Sequence, residues 1–393
     1  MESPDYRLLW FGLLMMMGGM NMQMVARAQL AWDLTRSEIA VVAVGAGFAP
    51  PILVFSLFGG TIADRFERKR IIQLGQFGSV MIALFIAISV VTDTITIGHL
   101  FGASIVQGLF FAFLMPARQA IIPQLVAPEH ASNAIALNAS GMSLMTMLAP
   151  AVGGLIYGHI GAAATYFTIT GLGFTALILT SFLPKQPVVV RKHVRRVWGD
   201  MKEGMRYATQ NRTLLMLLLL ALSTTVLAMP FRSLMPAYVD ELFNLEAPAV
   251  GLMLSMIGAG SLVGTLLIAG LKTTQHRGGV LLLTTAVSGL ALALAGIAPS
   301  YAIAVTVMVL LGLGDAGRRS LNASLIMELS DEEHRGRVMG VYMMNFGLIP
   351  LGAVPLGVVA ELAGVRYAVV GVGVLLVVMA VLATLGTRRI RAL

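Results

Sequence analysis

Few residues in this chain have chemistry to offer. Asp315 is the one carboxylate placed well inside a long apolar run, and Arg318 and Arg319 follow it three and four residues later. At that spacing helical side chains meet. A charge at the centre of a membrane-spanning helix costs about 2.5–3.5 kcal/mol on insertion scales, so it faces a cavity or a partner. Two readings of Asp315 stand. It is either an acid whose protonation follows solvent access and couples a proton to a cycle, or a static ion pair closing the inner end of a helix bundle. Every other acid falls at the end of an apolar run or in a loop, so by exclusion Asp315 is the expected proton-coupling group. Arg27 and Arg232 occupy matching places in two other runs, and Gln23 and Met20 share the Arg27 face at four and seven residues back. Such a polar, polarizable stripe suits a cavity wall, with snorkelling to the headgroups as the competing account. The candidate substrate cavity is therefore Arg27, Gln23, Met20, Asn21, Gln107, Arg232, Arg318 and Arg319. Its arginines outnumber its carboxylates, which favours an anionic or zwitterionic amphipath such as a siderophore or a lysolipid. Met15, Met16, Met17, Met20, Met22 and Met24 add flexible thioethers, which serve a promiscuous pocket or plain packing equally well. The six His residues show no ligand spacing, and no phosphate-cradling glycine loop with its lysine is present. No catalytic residue, metal site or cofactor is expected, and the chain does not read as an enzyme.

These residues must be held by elements of one kind. Of 393 residues, 57% are hydrophobic and 12% charged, with a mean hydropathy of +0.85, which is the composition of an integral membrane protein. Apolar runs long enough for about 30 Å of hydrocarbon number twelve: 8–32, 39–62, 71–91, 97–121, 133–158, 163–184, 213–238, 247–271, 278–298, 301–326, 338–360 and 367–387. The first is too long for a signal-peptide core and reads as a spanning helix. A net charge of +8 and a pI near 10.0 could point to nucleic acid, but the distribution excludes it. With a cytoplasmic N-terminus, nearly all loop Lys and Arg fall inside, and only Arg36 and Arg366 fall outside. Arg27, Arg118, Arg232, Arg318 and Arg319 remain within the runs. The basic balance orients the protein with both termini cytoplasmic, and the expected location is a bacterial cytoplasmic membrane. With no Cys, the chain has no disulfide framework.

The stretch Gly59-Gly60-Thr-Ile-Ala-Asp64-Arg65-Phe-Glu67-Arg68-Lys69-Arg70 joins two runs as a tight cytoplasmic turn. Paired glycines let helices approach closely in lipid, and the basic cluster keeps its end inside. Its spacing resembles the loop signature of the major facilitator superfamily, and Glu67 matches the drug-exporter subgroup. Asp5-Tyr6-Arg7-Leu-Leu-Trp10, Leu34-Thr35-Arg-Ser37, Pro116-Ala-Arg118-Gln-Ala-Ile-Ile-Pro123 and the Glu129 to Asn138 segment are similar to the branch containing macrolide and siderophore exporters. The resemblance implies gating by Gly60, Asp64, Arg65, Arg68, Lys69 and Arg118, with Arg118 pairing Asp64, and by Pro150, Gly153 and Gly154 on the fifth helix. It supplies no coupling arginine on the fourth helix, where Ser104 stands.

The halves repeat at a shift of 204 to 205 residues. Glu129-His130 recurs as Glu333-His334, Gly108 as Gly312, Gly153 as Gly357, and Arg27 as Arg232. The pattern predicts an all-α membrane protein of two pseudo-symmetric six-helix bundles, 1–184 and 213–393. A cytoplasmic linker, 185–212, joins them. Within it Val197, Met201, Met205 and Ala208 form one apolar helical stripe, for a helix on the inner membrane surface or one packed on the bundle. The expected function is a secondary active transporter working by alternating access: proton-coupled efflux of amphipathic molecules by a monomer in the lipid bilayer. A lysophospholipid flippase on the same fold is the first alternative, and a non-transporting membrane receptor the second.

Overall fold

The computed structural model describes residues 4–55, 67–127, 130–184, 197–270 and 276–386, with no strand among them. Among the described residues, twelve helices are long and apolar enough to cross a membrane. They are α1 Pro4–Thr35, α2 Glu38–Phe55, α3 Arg68–Val91, α4 Ile97–Ile121, α5 Asn133–Ile160, α6 Ala162–Ser181, α7 Arg212–Phe243, α8 Ala247–Gly270, α9 Arg277–Gly296, α10 Tyr301–Leu329, α11 His334–Ala363 and α12 Val365–Leu385. Each matches one apolar run. The helical state satisfies every interior backbone N–H and C=O within the segment, which hydrocarbon demands. Many exposed side chains on these helices are large and apolar, among them Leu362, Leu385, Leu266 and Leu283, as a lipid-facing surface requires.

Local sequence sets the ends and breaks. Thr96 caps α4 by accepting from His99 N at 3.3 Å, and Asn211 caps α7 by accepting from Thr213 N at 3.1 Å and Leu214 N at 3.2 Å. Gly161 turns α5 into α6 with φ +107, and Gly364 turns α11 into α12 with φ +97, a conformation costly for any residue with a Cβ. Pro230 and Pro350 cannot donate backbone hydrogen bonds, and α7 and α11 break beside them. Helix α7 nevertheless runs to Phe243, past the end of its apolar run at 238, because Asp240 and Glu241 add a polar but still helical turn.

The chain forms two compact units. The first comprises Met1–Arg36, Val44–Arg195 and Glu246–Gly251; the second comprises Ser37–Ala43, Arg196–Leu245 and Leu252–Leu393. In the first, α3 packs on α4 and α6, and α1 on α5 and α6. In the second, α9 packs on α10 and α12, the same pairing as α3. A Cβ on Gly108 would lie 2.3 Å from Phe48 O, and one on its repeat partner Gly312 would lie 2.0 Å from Ile257 O. Only glycine allows helix backbones that close.

Within the second unit the linker helix, Val197–Gln210, packs on the start of α11. Gly204 lies against the Arg337 backbone, Tyr207 stacks on His334 with ring centroids 4.3 Å apart, and Arg337 donates to Glu203 at 2.7 Å. Ala208 is fully buried but Met205 is exposed, so only part of the expected stripe is the packed face. The side chains of Val197 and Met201 lie outside the described set.

Candidate functional site

Helices α1 and α4 of the first unit bring Arg27, Gln23 and Gln107 together. Arg27, in the last third of the apolar helix α1, is 9% exposed. It donates through Nη1 to Ser104 Oγ at 3.0 Å and through Nη2 to Gln107 Oε1. Gln107 Nε2 donates to Gln23 Oε1 at 2.6 Å. Tyr166, fully buried on α6, stands beside the guanidinium outside hydrogen-bond geometry. Among the described residues no carboxylate pairs with Arg27. Asp33, the nearest acid along α1, accepts instead from Gln29 at 3.0 Å and Tyr157 at 2.7 Å. A buried guanidinium held only by neutral groups keeps its charge uncompensated, which is costly away from water unless an anion joins it. Met20 lines a small cavity beside Gln23. Asn21 donates to Met17 O at 2.9 Å and so spends its amide on its own helix.

In the second unit α7 and α10 build a different arrangement from the matching sequence positions. Arg232 Nη2 reaches Asp315 Oδ2 at 2.9 Å, and Arg318 Nη2 reaches Asp315 Oδ1 at 2.8 Å. Arg319 does not pair with the carboxylate; its Nε donates to the Asp315 backbone oxygen at 3.4 Å. The spacing rule thus found one partner, Arg318, while the other arrives from α7, 83 residues away. The repeat explains why the two arginines differ. At the shift of 204, the counterpart of Asp315 is Phe111, so Arg27 meets no acid from α4. Asp315 with Arg232, Arg318 and Arg319 still carries more positive than negative charge, and Arg318 and Arg319 line a narrow cleft with Asn322, Tyr342 and Asn345.

The residues assigned to gating divide in three. Gly60, Asp64 and Arg65 lie outside the described residues, and with them the expected Arg118–Asp64 pair. Arg118 is 2% exposed and donates to Leu9 O at 2.6 Å and to Met16 Sδ at 3.7 Å. Arg68 donates to Ala120 O near the end of α4, and Lys69 to Ser181 O at 2.8 Å at the end of α6. Cations there meet carbonyls that have no helical partner and the negative end of the helix dipole. Pro150, Gly153 and Gly154 form a close crossing inside the first unit. A Cβ on Gly153 would lie 3.0 Å from Met22 Cα, and one on Gly154 would lie 2.6 Å from Ala247 O.

Sequence reasoning passed over Gln76, Ser79 and Tyr166 in the first unit and Asn322, Tyr342 and Asn345 in the second. A polar side chain in mid-span is the signal that would have found Gln76 and Asn322.

Known proteins resemble this chain over most of its length. Staphyloferrin A transporter of Staphylococcus aureus (strain NCTC 8325 / PS 47) is 23% identical over 337 residues, covering 84% of this chain and 83% of that protein. Enterobactin exporter EntS of Shigella boydii serotype 18 is 27% identical over 290 residues, covering 73% of this chain and 68% of that protein. Among solved structures, the nucleoside transporter NupG (D323A mutant) superposes with a TM-score of 0.82 at 13% identity, covering 97% of this chain and 99% of that one. A bacterial homolog of the human lysosomal transporter Spinster gives 0.77 at 16% identity, covering 99% and 98%. These two likenesses concern the fold. The sequence profile of the MFS_3 family, described as transmembrane secretion effector, matches residues 1–391. The chain therefore belongs to that family, a multi-pass membrane transporter of the major facilitator type that acts on small molecules and not an enzyme.

Proposed function

We propose that the protein exports an anionic or zwitterionic amphipathic molecule by alternating access, driven by protons, as a monomer in the bacterial inner membrane with both termini cytoplasmic. The observation that carries the reading is Arg27, a guanidinium buried in a membrane span and held by Ser104 and Gln107 without a carboxylate. An anionic group is the partner its electrostatics lack. The excess of guanidinium over carboxylate around Asp315 favours the same substrate charge. Relatives named for staphyloferrin A and enterobactin make siderophores the first compounds to test.

In proteoliposomes holding the full chain, enterobactin or staphyloferrin A should accumulate against its gradient when a pH gradient is imposed, and equilibrate without accumulation when the gradient is collapsed. Movement of neither compound removes the siderophore reading; accumulation indifferent to the pH gradient removes proton coupling. One further observation keeps the lipid alternative in view. A lateral groove of about 600 Å³ between α3 and α4, lined by Leu74, Phe77, Phe85 and Phe110, has the size and polarity for an acyl chain. Fluorescent lysophosphatidylcholine in the same vesicles tests it. Flipping of the lipid without siderophore movement would make the protein a flippase.

A further inference from the structure

Inside the first unit, α1, α3, α4 and α6 line a partly open chamber of about 40 Å³ whose lining includes Gly19, Met20, Gln23, Gln76, Ser79 and Gln107. Gln76 is 2% exposed, and neither its Oε1 nor its Nε2 has a hydrogen-bond partner among the described residues. Gln23 Nε2 lacks one as well. Buried amides are ordinarily paired, so two unpartnered ones lining the same chamber point to a ligand group.

The orientation of Gln23 follows from chemistry, because a guanidinium can only donate. Arg27 Nη2 takes the Gln107 oxygen, which leaves the Gln107 amide nitrogen to donate to Gln23 Oε1. Gln23 then has its N–H donors left for the chamber. Gln76 adds both donors and an acceptor, and Ser79 Oγ, which donates to Gly75 O at 2.9 Å, can still accept. A cation would meet these donors unfavourably, and a carboxylate would leave the Gln76 oxygen unserved. A hydroxyl answers both sides, accepting from Gln23 and donating to Gln76. A water needs about 10–15 Å³, so the chamber takes about three waters or one group of that bulk.

We propose that the Gln23–Gln76–Gln107 chamber is a specificity subsite that receives an uncharged hydroxyl group of the transported molecule. It rests on the transport reading above and adds to the charge recognition at Arg27 a second point that reads neutral polar chemistry. Gln76 is the residue that decides whether an oxygen is accepted there.

The test uses the full chain in proteoliposomes with enterobactin and staphyloferrin A as the probes. Gln76→Met keeps the length of the side chain and removes its polar atoms. It should raise the KM of whichever probe is moved about tenfold, in line with the loss of a hydrogen bond at a dry site, with kcat within about twofold. Its thermal midpoint in detergent should not fall, since a buried amide without a protein partner is gone. Gln76→Asn, which keeps the amide but withdraws it by one methylene, should give an intermediate KM and serves as the readout if the methionine variant does not fold. An unchanged KM, or a KM, kcat and thermal midpoint that worsen together, overturns the subsite while leaving transport intact. If the unaltered protein moves neither probe, the siderophore reading fails and the subsite with it.

Discussion

Asp315→Asn is expected to abolish gradient-driven accumulation while downhill exchange of substrate continues. The carboxylate takes one guanidinium on each oxygen, Arg232 at 2.9 Å and Arg318 at 2.8 Å, and is 4% exposed. Asparagine keeps the shape and one acceptor but cannot exchange a proton or offset two cations. Breaking a buried ion pair from one side costs about 3–5 kcal/mol, because the remaining charge is left uncompensated. Thermal denaturation in detergent should therefore show a loss of that order. Arg318→Met added to Asp315→Asn should recover part of it, since the double change removes one of the two stranded cations. Recovery of stability without recovery of pumping separates the coupling role from the structural one. Uphill pumping by Asp315→Asn at a normal pH dependence would make the acid purely structural.

How much of this was legible before the fold depended on which force set each feature. The helices were, because hydrocarbon dictates composition over some twenty residues at once: the run at 97–121 is α4, Ile97–Ile121, and the run at 247–271 is α8, Ala247–Gly270. The Asp315–Arg318 pair was, because helical spacing alone brings it together. Arg232 as the second partner was not, since nothing in the local pattern of α7 refers to α10. Gln76 was not singled out, because one amide among apolar neighbours barely changes the hydropathy of a span, and only the packing of α1 and α4 shows that it has no protein partner. Of the linker stripe, Ala208 is buried and Met205 exposed, while the close approach to Arg337 runs through Gly204, a residue that no hydrophobic pattern selects.

Arg27→Leu is expected to weaken substrate binding strongly while leaving the protein as stable as before or more so. Truncating one partner of a buried charged contact costs about 2–5 kcal/mol, about 30-fold to several thousand-fold in Kd. Here the partner that remains is the anionic group of the substrate. In the substrate-free protein the same change removes a buried cation with no carboxylate, and replacing such charges by packed apolar groups is often neutral or stabilising. Equilibrium binding of labelled enterobactin and thermal denaturation, measured on the same preparation, should move in opposite directions. Arg27→Lys should recover little of the affinity, since one ammonium cannot hold Ser104, Gln107 and an anion in the geometry of the planar fork. Loss of stability with unchanged affinity would make Arg27 a structural residue.

The account centres on Arg27 meeting substrate, and the absence of cysteine from the sequence makes one measurement direct. A single cysteine placed by Arg27→Cys, in membranes allowed to cycle, should react with a water-soluble thiol reagent and be protected by saturating enterobactin or staphyloferrin A. Arg232→Cys, measured alongside, tests whether the second unit shares that exposure. Protection at position 27 is the result the account predicts. Labelling there at a rate indifferent to a compound that the same variant is shown by equilibrium binding still to hold would contradict it.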